Sequence, residues 1–366
     1  MPEDAVGFAG STYIGRVRPA VAVVLVTYYG TKFLDRLYGS LQRQRYPAER
    51  VRLIVVENGG DRAAATWFAA HAPDARVLVP GSNTGYAGGN TLGIAEALRL
   101  PVDYVAVITQ DTWLEPDWLP ALVEVAEARA DAGAVQPKIL RRDAGGGTVV
   151  HSRGNCLHFL GVGFVGGDGE PDAPRAVESI GYASGAGVLY RARALREVGA
   201  FDPELFMYHE DSDLSWRMRL AGWDILLAPD AVMHHEYEFT GRGGKFYFVE
   251  RNRLVNVLTH YRLATLAVLA PALALFEPIA LIFAARGGWL RERLAVYGFF
   301  ARPRSWRYLL RKRRSVQRLR RVPDRTVARH LTAHFEFDPI ASPLVRRVLD
   351  PALAAYWALA RRLIVW

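Results

Sequence analysis

The run VAVVLVTYY at 21–29 is continuously apolar and rich in β-branched residues, the pattern of a strand buried on both faces. Phe33, Leu34, Leu37 and Leu41 then recur at helical spacing until Tyr46-Pro47 closes the segment. RLIVVE at 52–57 repeats the strand pattern and stops at Asn58-Gly59-Gly60; a helix through Trp67 and a short strand at 76–79 follow. The glycine-rich stretch 81–90 leads into a helix reaching Leu100, and YVAVIT at 104–109 is a further strand. Short apolar strands alternating with helices predict an α/β fold, a mostly parallel sheet with helices on both faces. Ligands of such sheets sit beyond the carboxyl ends of the strands, which places Tyr28, Glu57, the 81–90 loop and Gln110-Asp111 around one crevice.

Further on the pattern loosens. Residues 141–180 are rich in glycine and predict hairpin-like structure around 151–169, either a wall of the site or a plain surface excursion. YASGAGVLY at 182–190 offers small residues where backbone approaches a ligand closely, and a helix through Leu195 runs to Gly199. Leu214, Met218 and Ala221 recur at helical spacing with Gly222 as C-cap, so Asp211 stands at or near a helix start. The stretch 263–285 is almost wholly apolar and long enough to span a bilayer, but Pro271, Glu277 and Pro278 argue for a bent, partly inserted or core-buried helix pair.

Composition narrows the classes. Of 366 residues 51% are hydrophobic and 23% charged, which excludes a disordered chain. Cys156 is the only cysteine, so neither an intramolecular disulfide nor a thiolate metal cluster exists. The first twenty residues lack a signal-peptide pattern, and a cytoplasmic main domain is expected. The net charge of +9 is unevenly placed: residues 286–366 hold nineteen Lys/Arg against five Asp/Glu (+14), and the preceding body 27 against 32 (−5). Arginines interleaved with Trp, Tyr and Leu in RPRSWRYLLRKRRSVQRLRR and LAAYWALARRLIVW suit an anionic membrane surface, with 261–366 as the contacting region. The absence of a recognition motif argues against nucleic acid.

Candidate chemistry gathers at the strand ends. Tyr28 and Tyr29 offer aromatic faces to a nucleobase and Glu57 an acceptor for its ring N–H, or else core packing and a turn cap. Gly85, Gly88 and Gly89 before a helix present backbone N–H groups to an anion such as a diphosphate, although neither a P-loop nor a dinucleotide fingerprint is spelled. Asp111 is placed to bind a hard divalent cation. Glu210, Asp211 and Asp213 either complement a helix dipole or supply a base, and strand alternation lets at most one of His234 and His235 face the crevice.

In order along 20–260, the pieces VVLVTYY, SLQRQRYPAERVRLIVVENGG, NTGYAGGNTLGI, QDTWLEPDWL, ASGAGVLYRARALREVGAFDPELFMYHEDSDLSWRMRLAGW, APDAVMHHE and KFYFVERNRL resemble the inverting family-2 glycosyltransferases of GT-A (Rossmann-like) fold, within them the rhamnosyltransferase-like group. The resemblance implies a GT-A domain at 20–240 between a flexible tail (1–19) and a C-terminal helical membrane-associating region (241–366). It implies Asp211, with Glu210, as catalytic residues, Asp211 being the general base. Donor binding falls to Thr27, Tyr28, Glu57, Asn83, Gly85, Gly88, Gly89, Asn90, Gln110, Asp111, Arg251 and Arg253; acceptor binding falls to Ser184, Gly185 and Trp216. Mg²⁺ or Mn²⁺ is implied at Asp111 and His235, a nucleotide sugar (dTDP-rhamnose) as donor, and a lipid-linked or polysaccharide acceptor at the inner face of the cell membrane. The chain departs from the pattern at Thr-Tyr-Tyr, at Glu57 in place of Asp, and at Gln110, where the first acid of the metal motif is missing. Two rival readings stand beside this one. A sugar-phosphate nucleotidyltransferase needs a basic glycine-rich loop that VTYYGTKF lacks; against a non-catalytic membrane or nucleic-acid binder with a decayed site stand Asp111, Asp211 and His235 together, while Gln110 speaks for it.

Overall fold

The computed structural model describes residues 17–143, 145–236, 244–335 and 345–366. The expected tail therefore lies outside the described residues up to 16, as does the expected boundary at 240/241. Residues 18 and 19 already belong to the body: the carbonyls of Arg18 and Pro19 accept from Arg50 Nε and Tyr46 Oη, each at 2.7 Å.

The first half alternates as the hydrophobic pattern predicts: β1 (Val21–Thr27), α1 (Leu34–Gln42), β2 (Val51–Glu57), α2 (Ala63–His71), β3 (Arg76–Leu78), α3 (Gly85–Ala97) and β4 (Tyr104–Thr109). Next come β5 (Thr112–Leu114), α4 (Trp118–Ala128), β6 (Ala132–Arg142), β7 (Thr148–Ser152), β8 (Asn155–His158), β9 (Gly163–Val165) and β10 (Glu178–Ser179). The catalytic-size body closes with β11 (Gly187–Arg191), α5 (Ala192–Val198), α6 (Glu210–Leu220) and β12 (Asp224–His235). The main path of the sheet runs β10-β12-β6-β11-β4-β1-β2-β3. Pairings β3–β2–β1–β4 are parallel, but β11 enters antiparallel to both β4 and β6, so the sheet is mixed rather than mostly parallel. The chain passes from β6 to β11 through β7–β10 with no crossover helix among the described residues, and a parallel return needs such a crossover.

Val21, Val23 and Leu25 face one core layer and Ala22 and Val24 the other, which is why β1 reads as continuously apolar. Five longer helices follow: α7 (Lys245–His260), α8 (Leu263–Arg286), α9 (Leu290–Phe300), α10 (Pro303–Leu319) and, after the short α11 (Asp324–Val327), α12 (Asp350–Leu363). Trp216 and Leu220 of α6 lie in one core cluster with Tyr261, Leu269, Val316 and Trp357 of these helices. The C-terminal region thus shares a core with the sheet domain.

This changes α6. Its sequence predicts one apolar stripe and one solvated face, yet ten of its eleven residues are buried. Much of the polar face is covered and paired: Asp213 pairs with Arg217 at 2.8 Å and with Lys312 of α10 at 2.6 Å, and Arg219 pairs with Asp224 at 2.9 Å. Single-sequence periodicity is blind to a second layer arriving from a hundred residues downstream.

Candidate active site

At the end of β1 the backbone turns sharply, with Tyr29 in a left-handed conformation (φ 47°) and both tyrosine rings exposed. Gln110 clamps this turn at two points: Oε1 accepts from the Tyr28 N–H (2.8 Å) and Nε2 donates to the Tyr28 carbonyl (3.0 Å). The residue standing where an acid was expected therefore shapes the Tyr28 turn, its amide engaged at both ends. A side chain at Gly30 would collide with that amide, so the bare backbone there is a condition of the clamp.

Glu57 is 1% exposed, and its two oxygens accept from Arg62 N (2.5 Å) and Ala65 N (3.0 Å). Of its two sequence readings the structure realises the cap: the carboxylate satisfies donors at the start of α2. The next residue, Asn58, went unremarked in the sequence reading and does more. Its Oδ1 accepts from the Thr84 N–H and hydroxyl, and its Nδ2 donates to Asn83 Oδ1 (3.1 Å) and the Gly85 carbonyl (3.0 Å). The expected anion loop is otherwise occupied. Helix α3 begins at Gly85, so Gly85, Gly88 and Gly89 lie inside it, and added Cβ atoms would strike Phe206, Thr84 and Val26 respectively. The N–H groups of Gly85 and Ala87 are taken by Asn83 Oδ1 and the Phe206 carbonyl. These glycines serve close packing rather than a free cradle of N–H groups. Asn90 is buried within α3, its Nδ2 donating to the Tyr86 carbonyl.

Asp111 occupies the corner between β4 and β5. Antiparallel pairing of β5 with β12 sets His235 opposite Thr112, and His235 Nε2 lies 3.3 Å from Asp111 Oδ1. Burial alone would raise the Asp111 carboxyl, but the hydrogen bond and charge of His235 hold it below the usual range. His234 points the other way, stacking on Trp113 and meeting Glu115 at 2.8 Å, as strand alternation requires. His151, from the segment read as a wall, brings its ring to 5.7 Å from that of His235. Beside Asp111 opens a cleft of about 260 Å³ lined by Lys32, Phe33, Arg36, Trp113 and Glu236. Lys32, and Arg36 paired with Glu236 at 2.5 Å and stacked on Trp113, place cationic side chains there.

No trio of His, Cys, Asp and Glu suited to a metal exists among the described residues. One carboxylate and one imidazole nonetheless suit a hard divalent ion, which would need further oxygen ligands from the donor or from water.

Asp211 stands in the first turn of α6. Its Oδ2 accepts from the Gly185 N–H (3.1 Å) and its Oδ1 from the Ser212 N–H (2.7 Å). Burial pushes this carboxyl up to about 6 against the pull of those two N–H groups. Glu210 beside it is driven well above the carboxylate range by burial and then by Asp211, and its Oε2 is buried without a partner. Burial and the neighbouring Asp211 thus favour the neutral form of Glu210 more strongly than burial favours that of Asp211. The phenols of Tyr86, Tyr182 and Tyr190 around them are kept protonated by burial. Gly185 lies against the Tyr86 ring, and Ser184 donates its N–H to Gln136 at 2.8 Å. One turn connects both walls: Gly185 holds Asp211, while Ala186 accepts from the Thr109 N–H (3.1 Å), two residues before Asp111.

Three expected site residues lie elsewhere. Trp216, expected on the acceptor side, is buried edge-to-face on Tyr261 in the C-terminal core. Arg253 is fully buried and committed to Glu250 (3.1 Å), Glu277 (2.9 Å) and the Leu160 carbonyl (3.0 Å), as a buried guanidinium must be. Arg251 lies beneath the loop that precedes α6, donating to the Glu204 and Leu205 carbonyls (both 2.8 Å) and packing on Tyr247 and Phe248. Asn252, between them, was missed; an asparagine buried in mid-helix, where it is a poor helix former, is the signal that marks it.

Residues 19–256 match the family model described as Glycosyltransferase like family 2. The chain is 31% identical over 243 residues to the N-acetylglucosaminyl-diphospho-decaprenol L-rhamnosyltransferase of Mycobacterium tuberculosis, covering 60% of this chain and 77% of that protein. It is 28% identical over 221 residues to the pre-mycofactocin glycosyltransferase of the same organism, covering 59% and 43%. Among solved structures, GalNAc-T7 with UDP, GalNAc and Mn²⁺ superposes with a TM-score of 0.54 at 14% identity over 66% of this chain and 48% of that one. S. aureus TarS 1–349 in complex with UDP superposes at 0.50 and 16% identity over 94% and 90%. These two likenesses speak to the fold alone. A mixed sheet of this order and the span of the family match make the chain a glycosyltransferase of GT-A fold that belongs to the glycosyltransferase-like family 2.

Proposed function

We propose that this glycosyltransferase moves rhamnose from a nucleoside-diphosphate donor to a lipid-linked acceptor, with inversion, using Asp211 as the base. The observation that carries the reading is the pairing of β11 with β4. It brings Gly185, which holds Asp211, and Thr109, which leads to Asp111, to one end of the sheet. A recessed carboxylate titrating near 6 is suited to accept a proton from a hydroxyl at neutral pH.

In the step so read, the acceptor hydroxyl gives its proton to Asp211 as its oxygen attacks the anomeric carbon. The bond from that carbon to the diphosphate oxygen breaks on the opposite face, so configuration inverts without a covalent enzyme intermediate. Glu210 keeps its proton and leaves Asp211 the charged partner. Lys32 and Arg36 lend positive charge on the diphosphate side of the cleft. Asp111 and His235 would hold a divalent cation, which when bound offsets the charge of the departing diphosphate. The Tyr28 turn, fixed by Gln110, presents an aromatic face to the nucleobase.

The lipid-linked acceptor is favoured by the M. tuberculosis relative, whose name states such a substrate, and by the surface of the C-terminal helices. Helix α8 is long and apolar enough to cross a membrane, yet Thr265, Leu269, Ala272, Ala280 and Ala284 are buried along it and Glu277 pairs with Arg253. Its other face, including Leu263, Leu275, Ile282 and Phe283, is exposed. Tied to the body along its length, α8 lies in the membrane plane, with Trp306 and Leu310 of the arginine-rich α10 adding to the contact with the anionic inner leaflet.

The test is transfer from dTDP-rhamnose and other nucleotide sugars to a polyprenyl-diphosphate N-acetylglucosamine, with the anomeric configuration of the product read by NMR. Rhamnosyl transfer with inversion is the expected result. A retained configuration, or transfer of a different sugar only, would overturn the corresponding part.

A further inference from the structure

The loop that delivers Glu210 and Asp211 is held in an unusual way. Phe206, Tyr208 and His209 all have positive φ (65°, 64° and 61°), a conformation that side chains disfavour. Left alone, such a loop relaxes; here every carbonyl from Glu204 to His209 is bonded. Arg251 Nη2 donates to Glu204 and Leu205, both at 2.8 Å. Asn252 Nδ2 reaches Leu205 (2.9 Å), Met207 (2.9 Å) and Tyr208 (2.7 Å). Ala87 N donates to Phe206 at 2.9 Å, and Asn256 Nδ2 to His209 at 3.0 Å. The Asn252 amide is itself oriented, since its Oδ1 accepts from Arg251 Nε at 2.8 Å and its NH₂ group must face the loop.

Asn252 is completely buried, and its side-chain hydrogen bonds go to Arg251 and the loop carbonyls of Leu205, Met207 and Tyr208. Bonding three carbonyls of one strained loop is more than a core polar group needs for its own satisfaction, because two protons are shared among three acceptors. We infer that Asn252, with Asn256 behind it, is the positioning residue for the base: it holds the 204–209 loop in its left-handed course so that Asp211 meets the acceptor hydroxyl in line. This rests on the reading of Asp211 as the base. It also gives α7 a function distinct from diphosphate binding, and it couples the base loop to the start of α3 through the Ala87–Phe206 bond.

The experiment compares Asn252→Asp, Asn256→Ala and Asp211→Asn in the full chain, using steady-state transfer kinetics and nucleotide titration. Asn252→Asp keeps the shape and the bond to Arg251 but turns an oxygen toward three carbonyls. Asn256→Ala leaves the His209 carbonyl with Ser212 Oγ and Asp213 N, so it folds. A base displaced by roughly an ångström predicts a loss in kcat of about 100-fold for Asn252→Asp and about 10-fold for Asn256→Ala, with donor KM and nucleotide affinity unchanged. Normal kcat per folded molecule in Asn256→Ala and in any soluble Asn252→Asp, with only a lower Tm, overturns the positioning role. A raised donor KM at normal kcat overturns it equally. If Asp211→Asn itself turns over normally, the base reading falls; if it is inactive while the asparagine variants are normal, only the positioning role falls.

Discussion

Lys312 Nζ lies 2.6 Å from Asp213 Oδ1, joining the arginine-rich α10 to the helix that carries Asp211 two residues earlier. Both charges are buried, and Lys312 also reaches Asp202, at the head of the strained loop, at 2.7 Å. A lysine that looks like one more charge in a basic tail braces the helix that carries Asp211.

Removing that brace leaves Asp213 short of one cation. Lys312→Met is predicted to destabilise the fold by about 3–5 kcal/mol, the cost of unpairing a buried charge. Burial would raise the Asp213 carboxyl, but Arg217, Lys312 and His260 hold it well below its usual range. A depressed carboxyl stabilises above its unfolded pKa and loses that contribution as pH falls through the folded value. In Lys312→Met the folded value rises, so the acid unfolding midpoint moves to higher pH. Thermal and acid denaturation followed by circular dichroism check both.

As the proposed base, Asp211 would set the acid limb of activity. With its carboxyl raised to about 6, kcat/KM should fall tenfold per pH unit below about 6, rather than below the ordinary carboxylate value of about 4. Asp211→Asn should lose at least about 100-fold in kcat, with nucleotide binding kept. A pH–rate profile with a midpoint at 4 would count against the assignment.

Gln110 offers a sharper test of the metal corner. Since its amide donates to and accepts from Tyr28, Gln110→Asp loses the Nε2 donor and sets a carboxylate against the Tyr28 carbonyl. The expected outcome is about tenfold weaker donor binding with no gain in divalent-cation affinity, whereas His235→Ala weakens the response of kcat/KM to Mg²⁺ or Mn²⁺ by about 10–100-fold. Cation titrations of the three proteins separate the effects.

The proposed membrane contact divides into apolar and charged parts. Ile282→Glu with Leu275→Glu removes two exposed apolar side chains of α8, each contributing about 1.5–3 kcal/mol if fully buried in lipid, and should abolish sedimentation with liposomes. Arg311→Glu with Arg314→Glu should weaken binding to anionic vesicles only, by roughly 1 kcal/mol per residue, and flatten its salt dependence.

The parallel half of the sheet could be read directly from the chain, because strands buried on both faces must be apolar throughout and the helices between them must be striped. The place of Asp211 at a helix start was equally legible from Leu214, Met218 and Gly222, and so was the opposite facing of His234 and His235, though not which of them meets Asp111. These are properties of residues near one another in sequence. Long-range contacts decided the rest. The antiparallel entry of β11 brings Gly185 between Asp211 and the Asp111 corner. Packing against Val26 and Phe206 turns the glycines of α3 from a free loop into a close contact. The C-terminal helices, arriving from far downstream, bury α6 on its polar side, draw Trp216 and Arg253 into a core, and set Asn252 beneath the base loop. A charge or an amide reads the same in sequence whether it will face water or a partner; only the chain that folds over it determines which.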